Sequence, residues 1–313
     1  MLDDNRVPRQ WRAWERPRNG AAYSGATMAQ QRSGDDQMPA EPSRLSPAPG
    51  HRCYPHSRFD AGTLAEVKGT RRISVCIPAR NEAATVGGIV ATIVNALTGV
   101  PGGVPLVDEV LVVDDGSIDG TGDLARQAGA RVVPAEPGID GPTPGSKGQA
   151  MRTAVEATDG DLIAFVDADV TNFGPHFVTG LLGPLLVDDS TSLVKGYYQR
   201  PLHGAPDGGG RVTELVAKPI IDLLFPDLTG ILQPLAGETA APRSVLEKCG
   251  LADGYQVELA LLIDVAADFG AETIAQVDLG VRAHRNRPLS ELRPQATDIL
   301  RTALARADLT RGL

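Results

Sequence analysis

Cysteine is scarce in this 313-residue chain: Cys53, Cys76 and Cys249 are three, an odd number with no C-x-x-C spacing. That excludes a disulfide framework and offers no thiolate metal site, and it fits a reducing compartment. Positive charge is also short, 30 Lys and Arg against 39 Asp and Glu, for a formal net charge of −9. No global basic field draws in nucleic acid or an anionic membrane. An unbroken apolar run of about 20 residues, as a membrane span needs, is missing, and the Arg- and Asp-studded start (residues 1–20) lacks the apolar core of a secretory signal. A cytoplasmic protein is expected. What remains, at 42% hydrophobic and 22% charged, is an ordinary globular composition.

Residues 1 to about 70 are rich in Pro, Gly, Ser, Gln and Arg, with no periodic apolar face to bury, and read as a disordered leader. Met28 and Met38 lie within it, so a later translation start is an alternative. From Arg72 onward, short β-rich runs alternate with helical stretches, the pattern of an α/β protein with a mainly parallel sheet flanked by helices. Strands are expected at residues 73–77, 109–113, 130–133, 162–166, 193–198 and 274–281. Helices are expected after Glu82, near 121–128, before Thr158, after Arg211, through Val257, Leu261 and Val265, and over 289–308. Residues 71–313 form one domain in this reading, 71–170 a nucleotide-binding half and 171–313 an acceptor-binding half.

Ligands of such sheets bind beyond the carboxyl ends of the strands, and three polar turns fall there. Asp167-Ala168-Asp169 follows the apolar run 162–166; alternation along an extended chain aims both carboxylates the same way, as hard oxygens for a divalent cation. An isolated D-x-D more often caps a turn. Asp114-Asp115-Gly116-Ser117 can accept from a base or a ribose hydroxyl, or form an Asx turn. Pro78-Ala79-Arg80-Asn81-Glu82 is either part of the same site or a helix start with Asn81 as its N-cap. Lys147, in a Gly/Pro-rich loop before a helix, can reach a diphosphate. A phosphate-binding GxxxxGK[ST] loop is excluded, because Ser146 precedes Lys147 and Gly148 follows it. Gly208-Gly209-Gly210-Arg211-Val212-Thr213 opens another helix with a guanidinium and a hydroxyl suited to a small anion, or is a glycine linker. His284 stands among Arg282, Arg285, Asn286 and Arg287, an imidazole able to ligate a metal beside groups that grip anionic oxygens. Glu238 and Glu258 add carboxylates that can hydrogen-bond sugar hydroxyls or sit at helix ends.

Together these stretches resemble the GT-A glycosyltransferases, and within them the glucosyl- and mannosyl-3-phosphoglycerate synthases. The resemblance runs through IPARNEAAT, VDDGSIDGT, PGSKGQA, FVDADV, VKGYYQRPL, GGGRVTELVAKP, LQPLAGE, GYQVELALLID and QVDLGVRAHRNRPL, in that order. It implies a cytoplasmic, homodimeric enzyme that transfers glucose from UDP-glucose to 3-phosphoglycerate with retained anomeric configuration and with Mg²⁺ or Mn²⁺. Mannose from GDP-mannose is the alternative, and a catalytically dead nucleotide-sugar sensor another. By the same resemblance, Pro78 to Glu82, Asp115 and Lys147 hold the nucleotide. Asp167, Ala168 and Arg282 touch the donor, and Asp169 and His284 ligate the metal. Gly210, Arg211, Val212, Thr213 and Asn286 receive the acceptor, and Tyr255, Gln256, Val257 and Glu258 face the sugar. Lys147, Asp169 and Glu258 are the catalytic candidates. The sequence departs from the family pattern at Arg80, usually Leu, at Asp115, Ser in some members, and at Ser146, an insertion before the lysine. A nucleotidyltransferase fits less well, since it wants a Gly-rich basic loop where PARNE stands.

Overall fold

Runs of apolar residues too short for helices, yet buried on both faces, become the inner strands of a sheet. β2 (Ile73–Ala79) is buried at every position except Pro78, and β5 (Leu162–Phe165) is buried throughout. The structure, a computed structural model, describes residues 51–99, 104–136, 146–200, 210–283 and 289–307, the last stretch with side chains from residue 292. Its remaining strands are β1 (Arg52–Pro55), β3 (Glu109–Asp114), β4 (Arg131–Pro134), β6 (Leu193–Gln199), β7 (Thr239–Pro242) and β8 (Ile274–Val281). They form one eight-stranded sheet in the order β1-β8-β6-β7-β5-β2-β3-β4. All neighbours are parallel except β7, which runs antiparallel to both β5 and β6.

The helices are α1 (Ala61–Lys68), α2 (Val86–Ile93), α3 (Thr121–Gln127), α4 (Lys147–Ala157), α5 (His176–Val187), α6 (Lys218–Leu224), α7 (Arg243–Cys249), α8 (Val257–Phe269) and α9 (Leu289–Arg306). The α/β expectation holds, and the six expected strands stand within two residues of their anticipated ends. β7, α5 and α7 are additions, as are β1 and α1 in the expected leader. The TAAP sequence of β7 carries little β-propensity, and the strand exists because β5 and β6 bracket it.

From β2 the chain steps outward through β3 to β4, and β5 then returns to the other side of β2. That reversal opens a crevice at the carboxyl ends of β2 and β5. Pro78 fits there because the pairing of β2 with β5 ends at Cys76, so its missing N–H breaks no bond on that side.

The expected leader is corrected over residues 51–70, and its first fifty residues lie outside the described residues. β1 pairs in parallel with β8, in register from Arg52 with Ala275 to Pro55 with Asp278. Asp60 caps α1 by accepting from Thr63 N at 2.9 Å. Lys68, 4% exposed, donates to the Pro105 and Leu106 carbonyls and to Asp108. Phe59 is buried against α5, where Gly183 leaves room: a Cβ there would collide with the ring. The composition of the segment hid a few anchors that suffice to hold it.

Gly183→Ala will lower stability by about 1–3 kcal/mol through overpacking, and Phe59→Ala by about 3–5 kcal/mol through the cavity it leaves. Combining them will cost less than the sum, because the smaller side chain removes the collision. Urea unfolding of the three variants checks this, and strict additivity would disconnect Phe59 from Gly183.

Candidate active site

The turns after β2 and β3 are stitched together before any ligand arrives. Asn81 adopts a left-handed φ of 54°, which its short side chain tolerates. Its N–H donates to Ser117 Oγ and its Oδ1 accepts from Ile118 N, each at 3.0 Å. Asp115 N donates to Ala79 O at 2.9 Å. Thr85 Oγ1 reaches across to the Ala168 carbonyl at 2.6 Å, tying in the turn after β5. Asn81 is therefore not the N-cap; Thr85 precedes α2. Arg80 and Asp115 face one another, Arg80 Nη1 lying 3.6 Å from Asp115 Oδ2.

Ser146 is the N-cap of α4, accepting from Gln149 N, and its Oγ accepts from Gly254 N at 2.8 Å as well. Gly148 N donates to Gly254 O at 3.1 Å, and a Cβ on Gly148 would collide with the Ala252 carbonyl. The first turn of α4 is thus fastened to the loop that leads into α8. Lys147 and Glu258, on the opening turns of those two helices, meet at 2.8 Å.

Around them lies a knot of buried charge. Lys147 Nζ is 2.5 Å from Asp167 Oδ1, and Arg282 Nη2 is 2.7 Å from Asp167 Oδ2 and 2.8 Å from Asp169 Oδ1. Both carboxylates of the D-x-D turn therefore meet one guanidinium, as their spacing predicts. Behind Arg282, Nε lies 3.1 Å from Oε1 of the wholly buried Glu238, whose Oε2 accepts from Tyr198 Oη at 2.7 Å. Lys195, 2% exposed, donates to Ala236 O at 2.6 Å. Gly237 has no room for a Cβ, which would strike both Asp167 and Lys147.

Burial would strip the proton from Lys147, but Asp167 and Glu258 outweigh it and hold the ammonium well above the lysine range. Burial pushes Asp167 up, yet Lys147 and Arg282 more than reverse that and keep it ionised far below the usual carboxylate range. Glu238 is raised, because burial wins over the pull of Arg282. Lys195 is pulled down by burial to about 8.

This knot forms the floor of a cleft of about 370 Å³. Pro78 to Glu82 and Asp115 line it, as do Lys147, Asp167, Ala168, Asp169 and Arg282, and the anion-loop residues Gly210 to Thr213 complete it with Tyr255 and Glu258. Val257 is instead packed in the core, and Gln256 lies off the cleft wall; Tyr255 and Glu258 carry that segment to the site. Glu238, expected to meet a sugar, stands behind Arg282. His284 and Asn286 lie outside the described residues. Arg200, Ala150, Leu235, Leu292 and Gln295 also line the cleft and were not foreseen. Arg200 follows directly on β6, so the strand-end rule that flagged the other turns applies to it too.

No group of three His, Cys, Asp or Glu able to cage a metal exists among the described residues. Asp169, its side chain 31% exposed at the cleft, offers hard oxygen to a cation that takes most of its ligands elsewhere. That donor set fits Mg²⁺ or Mn²⁺ carried on a diphosphate and does not fit a resident, fully protein-ligated ion.

The Lys195 shift predicts a pH dependence. Between its folded value near 8 and its ordinary 10.5 the unfolded chain keeps a proton that the folded chain has released. Stability from this group therefore rises with pH across that window, by up to about 3 kcal/mol. From pH 7.5 to 10.5 the unfolding free energy of the unaltered protein will rise relative to that of Lys195→Met; a constant difference would refute the assignment.

A model of glycosyl transferase family 2 matches residues 74–204. The glucosyl-3-phosphoglycerate synthase of Mycolicibacterium smegmatis is 48% identical over 253 residues, 79% of this chain and 81% of that protein. The Petrotoga mobilis enzyme of the same name is 40% identical over 82% of this chain and 81% of its own. Among solved structures, glucosyl-3-phosphoglycerate synthase from Mycobacterium tuberculosis in complex with Mn²⁺, UDP-glucose and phosphoglyceric acid superposes with a TM-score of 0.72 at 44% identity, covering 80% of this chain and 84% of that one. Its complex with Mg²⁺ and UDP gives 0.74 at 42% identity, covering 83% and 88%. A fold shared to this extent, with 40% to 48% identity along about four fifths of the chain, makes this glycosyltransferase a member of the glucosyl-3-phosphoglycerate synthase family.

Proposed function

We propose that the protein transfers glucose from UDP-glucose to the 2-hydroxyl of 3-phosphoglycerate, with retention at the anomeric carbon, to give glucosyl-3-phosphoglycerate. The observation that carries this reading is a single cleft in which the D-x-D carboxylates and Lys147 share space with the Arg211 and Thr213 anion loop. The M. tuberculosis relative holds UDP-glucose and phosphoglyceric acid together. A homodimer and a cytoplasmic location belong to the same reading and rest on the resemblance; no helix among the described residues is long and apolar enough to cross a membrane.

In this reading the stitched turns 78–82 and 114–117 hold the base and ribose, with the Arg80–Asp115 pair at their mouth. Lys147 carries three N–H donors, two of them engaged by Asp167 and Glu258, and the third is directed to the diphosphate. Asp169 and His284 hold Mg²⁺ or Mn²⁺. When bound, the cation neutralises charge that builds on the departing UDP. Arg282 keeps Asp167 ionised and holds Asp167 and Asp169 in place, so the site needs no rearrangement as that charge develops. Arg211, Thr213, the backbone of Gly210 and Val212, and Asn286 hold the acceptor so that its hydroxyl attacks from the face UDP leaves, with the leaving phosphate oxygen taking the proton.

Glu258 positions the sugar in this scheme. Its Oε1 is engaged by Lys147 and the side chain is 6% exposed, conditions that blunt a carboxylate as a nucleophile. Glu258→Gln will retain about a tenth or more of the activity, where loss of a nucleophile costs about 10⁴-fold or more. A loss of the larger size in single-turnover assays would assign it the nucleophile's role.

The purified protein, given Mg²⁺ or Mn²⁺ and 3-phosphoglycerate, will release nucleotide from UDP-glucose in preference to GDP-glucose and GDP-mannose, with a product of the mass of a hexosyl-phosphoglycerate. EDTA and Asp169→Ala will each lower that rate by at least about a hundredfold. Preference for GDP-mannose would change the product assigned, and binding without release from any donor would favour a sensor.

A further inference from the structure

Arg200 stands one residue beyond β6, at the end of the sheet where the cleft opens, and none of the motif assignments uses it. Its guanidinium is pinned. Nη2 donates to Tyr198 Oη at 2.8 Å, the guanidinium carbon lies 4.9 Å from the centre of the Tyr198 ring, and Nε is buried with no hydrogen-bond partner among the described residues. No carboxylate of the described residues lies within ion-pair distance of it. The remaining arm reaches the anion loop: a Cβ built on Gly210 would be 3.8 Å from Arg200 Nη1 and 3.8 Å from Thr213 Oγ1. The Tyr198 hydroxyl that fixes Arg200 donates in turn to Glu238, which faces Arg282, which bridges Asp167 and Asp169. One buried chain of contacts thus places a guanidinium arm between the anion loop and the donor carboxylates.

We propose that Arg200 binds the carboxylate of the acceptor through Nη1, and so selects a 2-hydroxy acid over the corresponding alcohol. This rests on the reading of the acceptor given above. 3-Phosphoglycerate brings two anionic groups into the cleft, where Lys147 and Arg282 are already engaged by Asp167, Asp169 and Glu258, so a second guanidinium beside the Arg211 loop matches the second anion. The carboxylate is attached to the carbon that bears the attacking hydroxyl, and the phosphate sits one carbon further away. Arg200 is joined through Tyr198, Glu238 and Arg282 to the donor carboxylates, which places its arm toward the group nearer the reacting atoms. A single N–H arm suits one carboxylate oxygen, and because Tyr198 has already ordered the side chain, little rotamer freedom is lost on binding.

The test compares 3-phosphoglycerate with glycerol 3-phosphate, which carries a hydroxymethyl group where the carboxylate stands. Dissociation constants measured by calorimetry with UDP and Mg²⁺ present, and the KM for UDP-glucose, are obtained for the unaltered protein and for Arg200→Gln. The substitution will weaken 3-phosphoglycerate by about tenfold to a hundredfold and leave glycerol 3-phosphate and the KM for UDP-glucose within about twofold. Tyr198→Phe keeps the ring but frees Nη2, and will weaken 3-phosphoglycerate more than glycerol 3-phosphate by a smaller factor than Arg200→Gln does. Equal weakening of both phosphate ligands, a rise confined to UDP-glucose, or an unchanged preference in both variants would overturn the proposal. Failure of the unaltered protein to bind 3-phosphoglycerate would overturn the acceptor reading and this assignment with it, and that control separates the two failures.

Discussion

Asp167 is clasped on one oxygen by Lys147 and on the other by Arg282, and the site is arranged around that double clasp. A lone carboxylate buried at a strand end would shift its pKa upward and take a proton; two cations reverse the shift and keep it charged. Lys147 then recruits one further carboxylate, Glu258, and Arg282 two, Asp169 and Glu238. Removing any member leaves an uncompensated charge in a poorly solvated place, so the knot behaves as a unit. It is costly as a source of stability and valuable as preorganisation, because its dipoles already stand where charge develops during transfer.

The backbone accommodates this clasp at two glycines. Gly237 lies so close to Asp167 and Lys147 that no side chain fits, and Gly148 brings α4 against the loop before α8. Ser146, with one hydroxyl accepting from both Gln149 N and Gly254 N, sets the register of these two elements. Ser146 thereby positions the lysine it precedes. Arg80 and Asp115, far apart along the chain, form their own pair at the mouth of the turns.

Much of the fold was legible because its inner strands are continuous apolar runs ended by polar turns, and the strand-end rule brought PARNE, DDGS and the D-x-D turn to one crevice. What stayed hidden had weak local signals. β7 is four residues of low β-propensity held by its neighbours. β1 and α1 sit in a stretch whose composition reads as disordered, and a few anchors such as Phe59 and Lys68 override that average. Glu238 was visible as a carboxylate near other motifs, but only three-dimensional packing places it behind Arg282 rather than at a sugar. Val257 belongs to a motif whose neighbours face the cleft, yet helical periodicity turns it into the core.

The pairing of β1 with β8 joins residues more than 220 positions apart, as the His56 to Asp278 hydrogen bond also does. Emerging early from the ribosome, β1 waits for a partner made near the end of synthesis, while β2 to β5 can already pair among themselves. Closing so long a loop is slow relative to local pairing. The edge of the sheet at β8 is therefore sealed last, after the strands that carry PARNE, DDGS and the D-x-D turn have found one another, and the donor half of the crevice is assembled before β1 takes its place at the opposite edge.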